Sequence, residues 1–284
     1  MQQEVLKPVG MQHSSFEWRP DWDPPVPTGY GLRGEPVSVY VYPEKASGGL
    51  FSTTEDIANF VIASMPEFST TQSVLTTESI DSMHTIWVDR IGVYNLVFDG
   101  YGLGHYIERL SDGRMAISHG GQGTGWMTHY HAVPESGDGI VILTNSQRSW
   151  PMIAYLLTDW AGWSGLPALG MSRIILGNNM LWGFVGFLWF AIIWELWNLA
   201  SLLATRKNSK ISSIKKSIPN RVFRISLSMI IFCGLFWSIN QDYLFITSVF
   251  PMAAGWAGKS LFIFAITLFI PSFVPGTTDL PNHR

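Results

Sequence analysis

Arg114-Met-Ala-Ile-Ser-His-Gly-Gly-Gln-Gly-Thr-Gly-Trp-Met-Thr-His-Tyr-His-Ala-Val-Pro-Glu-Ser-Gly-Asp-Gly-Ile-Val-Ile-Leu-Thr144 is a run of strand-forming segments cut by turn chemistry. Val, Ile, Thr, Tyr and Trp suit a pleated, half-buried surface, whereas Gly, Pro, Asp and Ser break it. The stretch therefore predicts strands over residues 114–119, 125–133 and 139–144, with Pro134-Glu-Ser-Gly-Asp-Gly139 turning between the last two. Just upstream, Ser111-Asp-Gly113 joins residues 101–108, read as a further strand, to the first of them. Short turns make consecutive strands antiparallel neighbours, and residues 150–163 then close the meander as a helix.

Working back toward the N-terminus, residues 7–50 are rich in Pro and Gly and read as loop, with a brief alternation at Val37-Ser-Val-Tyr-Val41. Ser52-Thr-Thr-Glu-Asp56 offers N-cap candidates and first-turn acids for a helix whose Ile57, Phe60, Val61 and Met65 share one face. Residues 75–86 predict another helix. The whole of 1–170 reads as one mixed α/β (α+β) domain, an antiparallel sheet with flanking helices, free of internal repeats and low-complexity tracts.

Residues 174–275 are different. Leu181-Trp-Gly-Phe-Val-Gly-Phe-Leu-Trp-Phe-Ala-Ile-Ile-Trp-Glu-Leu-Trp-Asn-Leu-Ala-Ser-Leu-Leu-Ala204 holds 24 residues with a single acid, and a helix needs about 20 to cross a bilayer core of about 30 Å. Further spans are expected over 222–240 and 252–274, with Lys259 snorkelling to the interface. Residues 243–251 are apolar too, and either extend the second span or lie in the interface. The tail is thus an all-α transmembrane region in a multi-pass membrane protein, and the lipid bilayer is its partner.

The loop 206–224 contains seven Lys or Arg and no acid. A basic loop can serve as a nucleic-acid or lipid patch, but between two spans it reads as cytoplasmic, which places residues 1–173 outside the cytoplasm and 276–284 within it. The net charge of −3 and the lack of a basic stripe argue against nucleic acid. Glu195, inside the first span, is either a functional intramembrane acid or a carboxylate paired within the helix bundle. The single cysteine, Cys233, excludes an internal disulfide and a Cys-based metal site. The first residues show no charged region followed by an apolar run of signal-peptide type. The expectation is that an upstream segment, absent here, carries the export signal.

Five motifs in order carry a family resemblance: Leu6-Lys-Pro-Val-Gly-Met11, Ala46-Ser-Gly-Gly-Leu-Phe-Ser-Thr-Thr-Glu-Asp56, Tyr101-Gly-Leu-Gly104, His119-Gly-Gly121 and Val141-Ile-Leu-Thr-Asn145. In this order and spacing they resemble the C-terminal half of the serine β-lactamase and penicillin-binding-protein family, of the class C and esterase type. The resemblance implies a partial β-lactamase/transpeptidase-like domain in residues 1–170, and acyl-enzyme hydrolysis of a peptide, ester or β-lactam carbonyl. Members use a serine with a lysine one helical turn on, a Tyr-x-Asn motif for proton transfer, and an oxyanion hole. Neither of the first two motifs precedes Leu6. The chain has Ser-x-x-Lys only at Ser212 with Lys215 and Ser213 with Lys216, in the basic loop, where it is coincidental.

The resemblance assigns His119 to the cleft-lining strand, hydrogen-bonded toward the missing serine and tyrosine, a task suited to a group titrating near neutrality. Gly121 leaves room for substrate backbone, and the Gln122 N–H supplies an oxyanion donor. Gly120 stands where many β-lactam-binding members have Ser or Thr, which leans toward esterase-like or D-amino-acid-peptide chemistry. Alone, His119 before two glycines is just a strand end. His105, His129 and His131 form a metal cluster or have a structural or surface role; the absence of nearby acid or cysteine favours the latter. Trp126 and Tyr130 border the cleft or belong to the core, and Tyr101-Gly-Leu-Gly104 serves strand packing. No cofactor is called for. The expected product is a truncated hydrolase, inactive by itself, whose nucleophile comes from a missing N-terminal half or a partner chain; the alternative is a non-catalytic membrane-bound binding or scaffold protein. Either way an unpaired sheet edge and an exposed apolar face are expected.

Overall fold

The computed structural model describes residues 1–69, 74–208, 218–241 and 244–273. Both Ser-x-x-Lys matches, residues 209–217 of the basic loop, Tyr243, the last residue of the third expected span and the tail 276–284 lie outside the described residues. The chain divides into two compact units, Met1–Leu176 and Gly177–Arg284.

In the first unit a π-helical turn, Gln2–Leu6, runs into α1 (Lys7–Val9). There follow β1 (Gly29–Tyr30), β2 (Pro36–Val37), α2 (Lys45–Gly48), α3 (Thr54–Ala63) and α4 (Thr77–Met83). The main sheet comprises β3 (Gly100–Tyr101), β4 (Tyr106–Arg109), β5 (Met115–Gly123), β6 (Trp126–Val133) and β7 (Asp138–Thr144), ordered β3-β4-β5-β6-β7 and antiparallel throughout. α5 (Trp150–Trp163) closes it.

Two-residue alternation sends neighbouring side chains to opposite faces of the sheet. On one face Ile117 and Ala132 meet Val61 and Met65, with Ile57 and Phe60 packed alongside, the helix face read from sequence. On the other, Ala116, Met127, Val133 and Ile142 meet Ile153, Leu157, Trp160 and Ala161 of α5. Full burial of a side chain such as Leu157 is worth about 2 kcal/mol. Of the three cap candidates, Thr53 caps α3: its hydroxyl accepts from the Asp56 N–H at 3.2 Å. Asp56 is itself buried and accepts from the His13 N–H at 2.7 Å and the Ser14 hydroxyl at 2.6 Å. These bonds dock residues 13–14 on α3, beside the Leu6, Val9 and Met11 cluster.

Three element expectations need correction. Residues 101–108 are not one strand: β3 and β4 pair as a hairpin, Gly100↔Ile107 and Tyr101↔Tyr106. Gly104 takes φ +90°, and a Cβ on Gly102 would lie 2.2 Å from the Met83 carbonyl, so the glycines turn the chain where a strand was read. The alternation at 37–41 yields only β2, two residues long, paired with β1. The helix expected over 75–86 is shortened to α4, capped by Thr76 and stopped at buried His84.

The second unit is helical. α6 (Ser172–Asn208) begins in the first unit; α7 (Ile218–Ile239), α8 (Phe245–Val249) and α9 (Pro251–Phe269) follow. Three helical stretches, Ser172–Ser201, Ile218–Ile239 and Pro251–Ser272, are long and apolar enough to cross a membrane. Residues 245–249 form a separate short helix and do not extend the second stretch. Glu195 is a paired carboxylate: it accepts two bonds from the Arg224 guanidinium, at 2.9 and 2.7 Å. Arg221 reaches the Ser272 carbonyl at 2.9 Å, and the Ser228 hydroxyl reaches that of Ala265 at 3.1 Å, tying α7 to the last helical stretch.

Candidate active site

β4 stops pairing with β5 at Tyr106↔Ser118, whereas β6 stays paired as far as Gly123↔Trp126. His119 to Gly123 therefore have β6 on one side and, among the described residues, no strand on the other. A ligand lying parallel to such an edge can pair with its backbone as an added strand does. His119 projects to the α3 side of the sheet, where its Nε2 and the Tyr101 hydroxyl are hydrogen-bonded at 3.1 Å; Tyr101 donates when the imidazole proton sits on Nδ1. The ring stacks on Tyr106, centroids 5.5 Å apart.

Burial lowers the His119 pKa, opposed by a hydrogen bond involving the Gly120 backbone, and burial raises that of Tyr101. Both shifts favour a neutral imidazole against a protonated phenol. A second pair lies close by: His105 Nδ1 and the Tyr130 hydroxyl are 2.7 Å apart. Burial, with the neighbouring His84 and His119, pushes His105 down to about 4. Burial and Tyr101 push Tyr130 up. Tyr130 is thus bound into this pair, whereas Trp126 packs on the backbone of Gly29.

The two glycines face opposite ways. A Cβ on Gly121 would stand 2.5 Å from the Thr128 hydroxyl, on the His119 side, while one on Gly120 would stand 2.8 Å from the Trp150 ring and 3.3 Å from His129 Nδ1. Packing behind the sheet therefore makes a larger residue at 120 force Trp150 to shift. Gln122 lies exposed, opposite Met127 in the register. At the strand end the Tyr42 hydroxyl accepts from the Thr124 N–H at 3.1 Å, and Gln147 donates to the Gly123 carbonyl at 2.9 Å.

His129 and His131 occupy the opposite face, against Trp150 and Trp160 with centroids 6.2 and 5.9 Å apart. They cannot meet His105, which is on the Tyr130 side. Among the described residues, no three His, Cys, Asp or Glu side chains are grouped to hold a metal. Sequence reasoning singled out His119 to Gln122 but missed Tyr101 and Tyr106 as its neighbours. The missed signal was the Gly102–Gly104 turn, which brings two tyrosines five apart into cross-strand register.

The set offers a histidine–tyrosine pair able to hold or relay a proton beside an open strand edge. It includes no serine with a lysine one turn on.

Residues 1–156 match the family model described as Beta-lactamase. No curated protein matches the sequence. Among solved structures, the chain is similar to an octameric penicillin-binding protein homologue from Pyrococcus abyssi, at 24% identity and a TM-score of 0.50 over 59% of this chain and 38% of that one. It is also similar to a class C β-lactamase (19% identity, TM-score 0.42, 51% and 45% covered). A D-alanine carboxypeptidase from Burkholderia cenocepacia gives 20% identity and a TM-score of 0.42, with 51% and 48% covered. The chain thus spans less than half the length of each. At 24% identity the likeness to the first of them concerns the fold alone.

Proposed function

The chain belongs to the β-lactamase family, and from that membership we propose that it forms the third-motif half of a membrane-anchored serine hydrolase. Its reaction is acyl transfer from a peptide, ester or β-lactam carbonyl through an acyl-enzyme. The observation that carries this reading is the end of β4–β5 pairing at Ser118, just before His119, beside the His119–Tyr101 pair. A scissile carbonyl lying along β5 there would meet the Gln122 N–H as oxyanion donor, with Gly121 clearing space. His119 would hold the proton network of a serine and tyrosine supplied by residues outside this chain, in a missing N-terminal half or a partner. Gly120, faced closely by Trp150, offers no hydroxyl for a substrate carboxylate, which favours ester or D-amino-acid peptide substrates.

Completion by another segment has physical support in β7. It is the last strand of the sheet, and beside it a cavity of about 240 Å³ is lined by Val61, Ile62, Met65, Gly139 and Val141. An edge strand next to an apolar hollow suits an added strand. In the membrane reading, residues 1–173 are extracytoplasmic and the loop 206–224 cytoplasmic, with the three apolar helical stretches as spans.

Labelling with a fluorescent β-lactam and a fluorophosphonate tests the reading. The purified chain is expected to stay unlabelled, and co-expression with a polypeptide carrying Ser-x-x-Lys and Tyr-x-Asn is expected to give a labelled complex. Stoichiometric labelling of the chain alone would overturn the absence of a nucleophile. Failure of every such polypeptide to bind would favour the second reading, a non-catalytic membrane-bound binding or scaffold protein, for which the self-satisfied His119–Tyr101 pair is the supporting observation.

A further inference from the structure

Between α4 and β3 the chain exposes apolar side chains on a segment that also bridges β3 at Val88. Trp87 is 62% exposed and Leu96 65%, with Val88, Val93 and Tyr94 each above 40%. This is not a loose loop. The Asn95 side chain accepts from the Ile91 N–H and donates to the Asp89 carbonyl, both at 2.9 Å. Ile91 and Val97 pack into the core beneath. A held, exposed apolar surface of this kind marks an interaction site.

Its location identifies what covers it. Arg173 donates to the Leu96 carbonyl at 2.8 Å, and Gly170 lies against the Val97 backbone, where a Cβ would come within 2.0 Å of the carbonyl oxygen. Arg173 is the second residue of the first apolar stretch, Ser172–Ser201. Its 30 residues make a helix of about 45 Å, longer than a hydrocarbon core of about 30 Å, so its first turns belong to the headgroup layer. A segment hydrogen-bonded to Arg173 is brought to the same layer, where Trp and Tyr are enriched.

We propose that residues 87–96 form a membrane foot, with Leu96, Val93, Tyr94 and Trp87 entering the boundary between lipid headgroups and acyl chains beside the first span. The proposal rests on the membrane-anchored reading given above. Its consequence for the site is proximity: the Tyr94 ring lies 5.3 Å from Tyr106, which lies 5.5 Å from His119. Tyr94 thus connects the foot to the site through two ring contacts.

The test uses the full chain with Cys233→Ser, carrying a nitroxide on single cysteines at Leu96, Ile230 or Glu44, in phosphatidylcholine–phosphatidylglycerol vesicles. Ile230, exposed on α7, reports the lipid core, and Glu44, exposed far along the chain, reports water. Power-saturation EPR compares collisions with oxygen, which partitions into lipid, and with a water-soluble nickel chelate. Oxygen is expected to dominate at positions 96 and 230 and nickel at 44. Nickel dominating at 96 while oxygen dominates at 230 would overturn the foot and leave the anchor standing. Nickel dominating at both would remove the anchor, and the foot with it.

Discussion

His131 and His129 are fully enclosed between β6 and α5, and among the described residues none of their four ring nitrogens has a hydrogen-bond partner. Burial pushes His131 down to about 4, and burial with His131 and His119 pushes His129 well below its ordinary value. A histidine whose folded pKa is depressed contributes stability that is complete above its unfolded value, about 6.5, and is lost as pH falls toward the folded one. For His131 that amounts to about 3 kcal/mol between pH 6.5 and 4. Thermal melts of the detergent-solubilised chain from pH 8 to 4 should show this loss, and His131→Phe should flatten it. Glu108 works in the opposite sense. Burial raises its carboxyl to about 7, against a bond from the Gly170 N–H at 2.6 Å. Its stabilisation is complete below about 4.5 and lost as pH rises through 7. Glu108→Gln should therefore raise the melting temperature at pH 8 and change it little at pH 4. That His129 and His131 share a face was legible from their spacing. That the face is sealed by Trp150 and Trp160 was not, because tryptophans twenty or more residues away carry no local sign of which strand they cover.

At the scale of elements, the capping and packing of α3 make a direct test. Thr53→Ala removes the acceptor for the Asp56 N–H and should cost about 1 kcal/mol by chemical denaturation. At β5, Gly120→Ser would restore the hydroxyl that many β-lactam-binding relatives carry, yet its Cβ would meet the Trp150 ring at 2.8 Å. The expected loss is about 1–3 kcal/mol, with partial recovery when Trp150→Leu is added. Strands β5, β6 and β7 and helices α3 and α5 were readable because period and turn residues agree. The β3–β4 hairpin was not, since Tyr101 and Tyr106 both suit a strand and only the tertiary contact of Gly102 with Met83 shows that the chain must turn. For the site, the motif positions were legible; the tyrosine partner of His119 depends on that same hairpin.

Across the whole molecule, the chain holds three helical stretches long and apolar enough to cross a membrane, and their polar ties can be tested directly. Glu195 and Arg224 are paired between two apolar helices and partly buried there, so one charge without the other is costly. Glu195→Gln should lower thermal stability in detergent, on the order of 1–3 kcal/mol, and the double change with Arg224→Gln should recover part of it. The three apolar stretches were visible from hydropathy alone. Their polar ties were not, because a single acid in an apolar stretch does not state its partner.

The order β3-β4-β5-β6-β7 means that, among the described residues, the strands of the sheet pair with their neighbours in sequence. Contacts between close positions form with little loop-closure entropy, and chains rich in them fold quickly. The sheet can therefore assemble strand by strand as it is synthesised, β7 arriving last with its outer edge still open. Any complementing segment would then join a surface already formed, so its capture should be a bimolecular docking step, with a rate that rises in proportion to the concentration of the added piece.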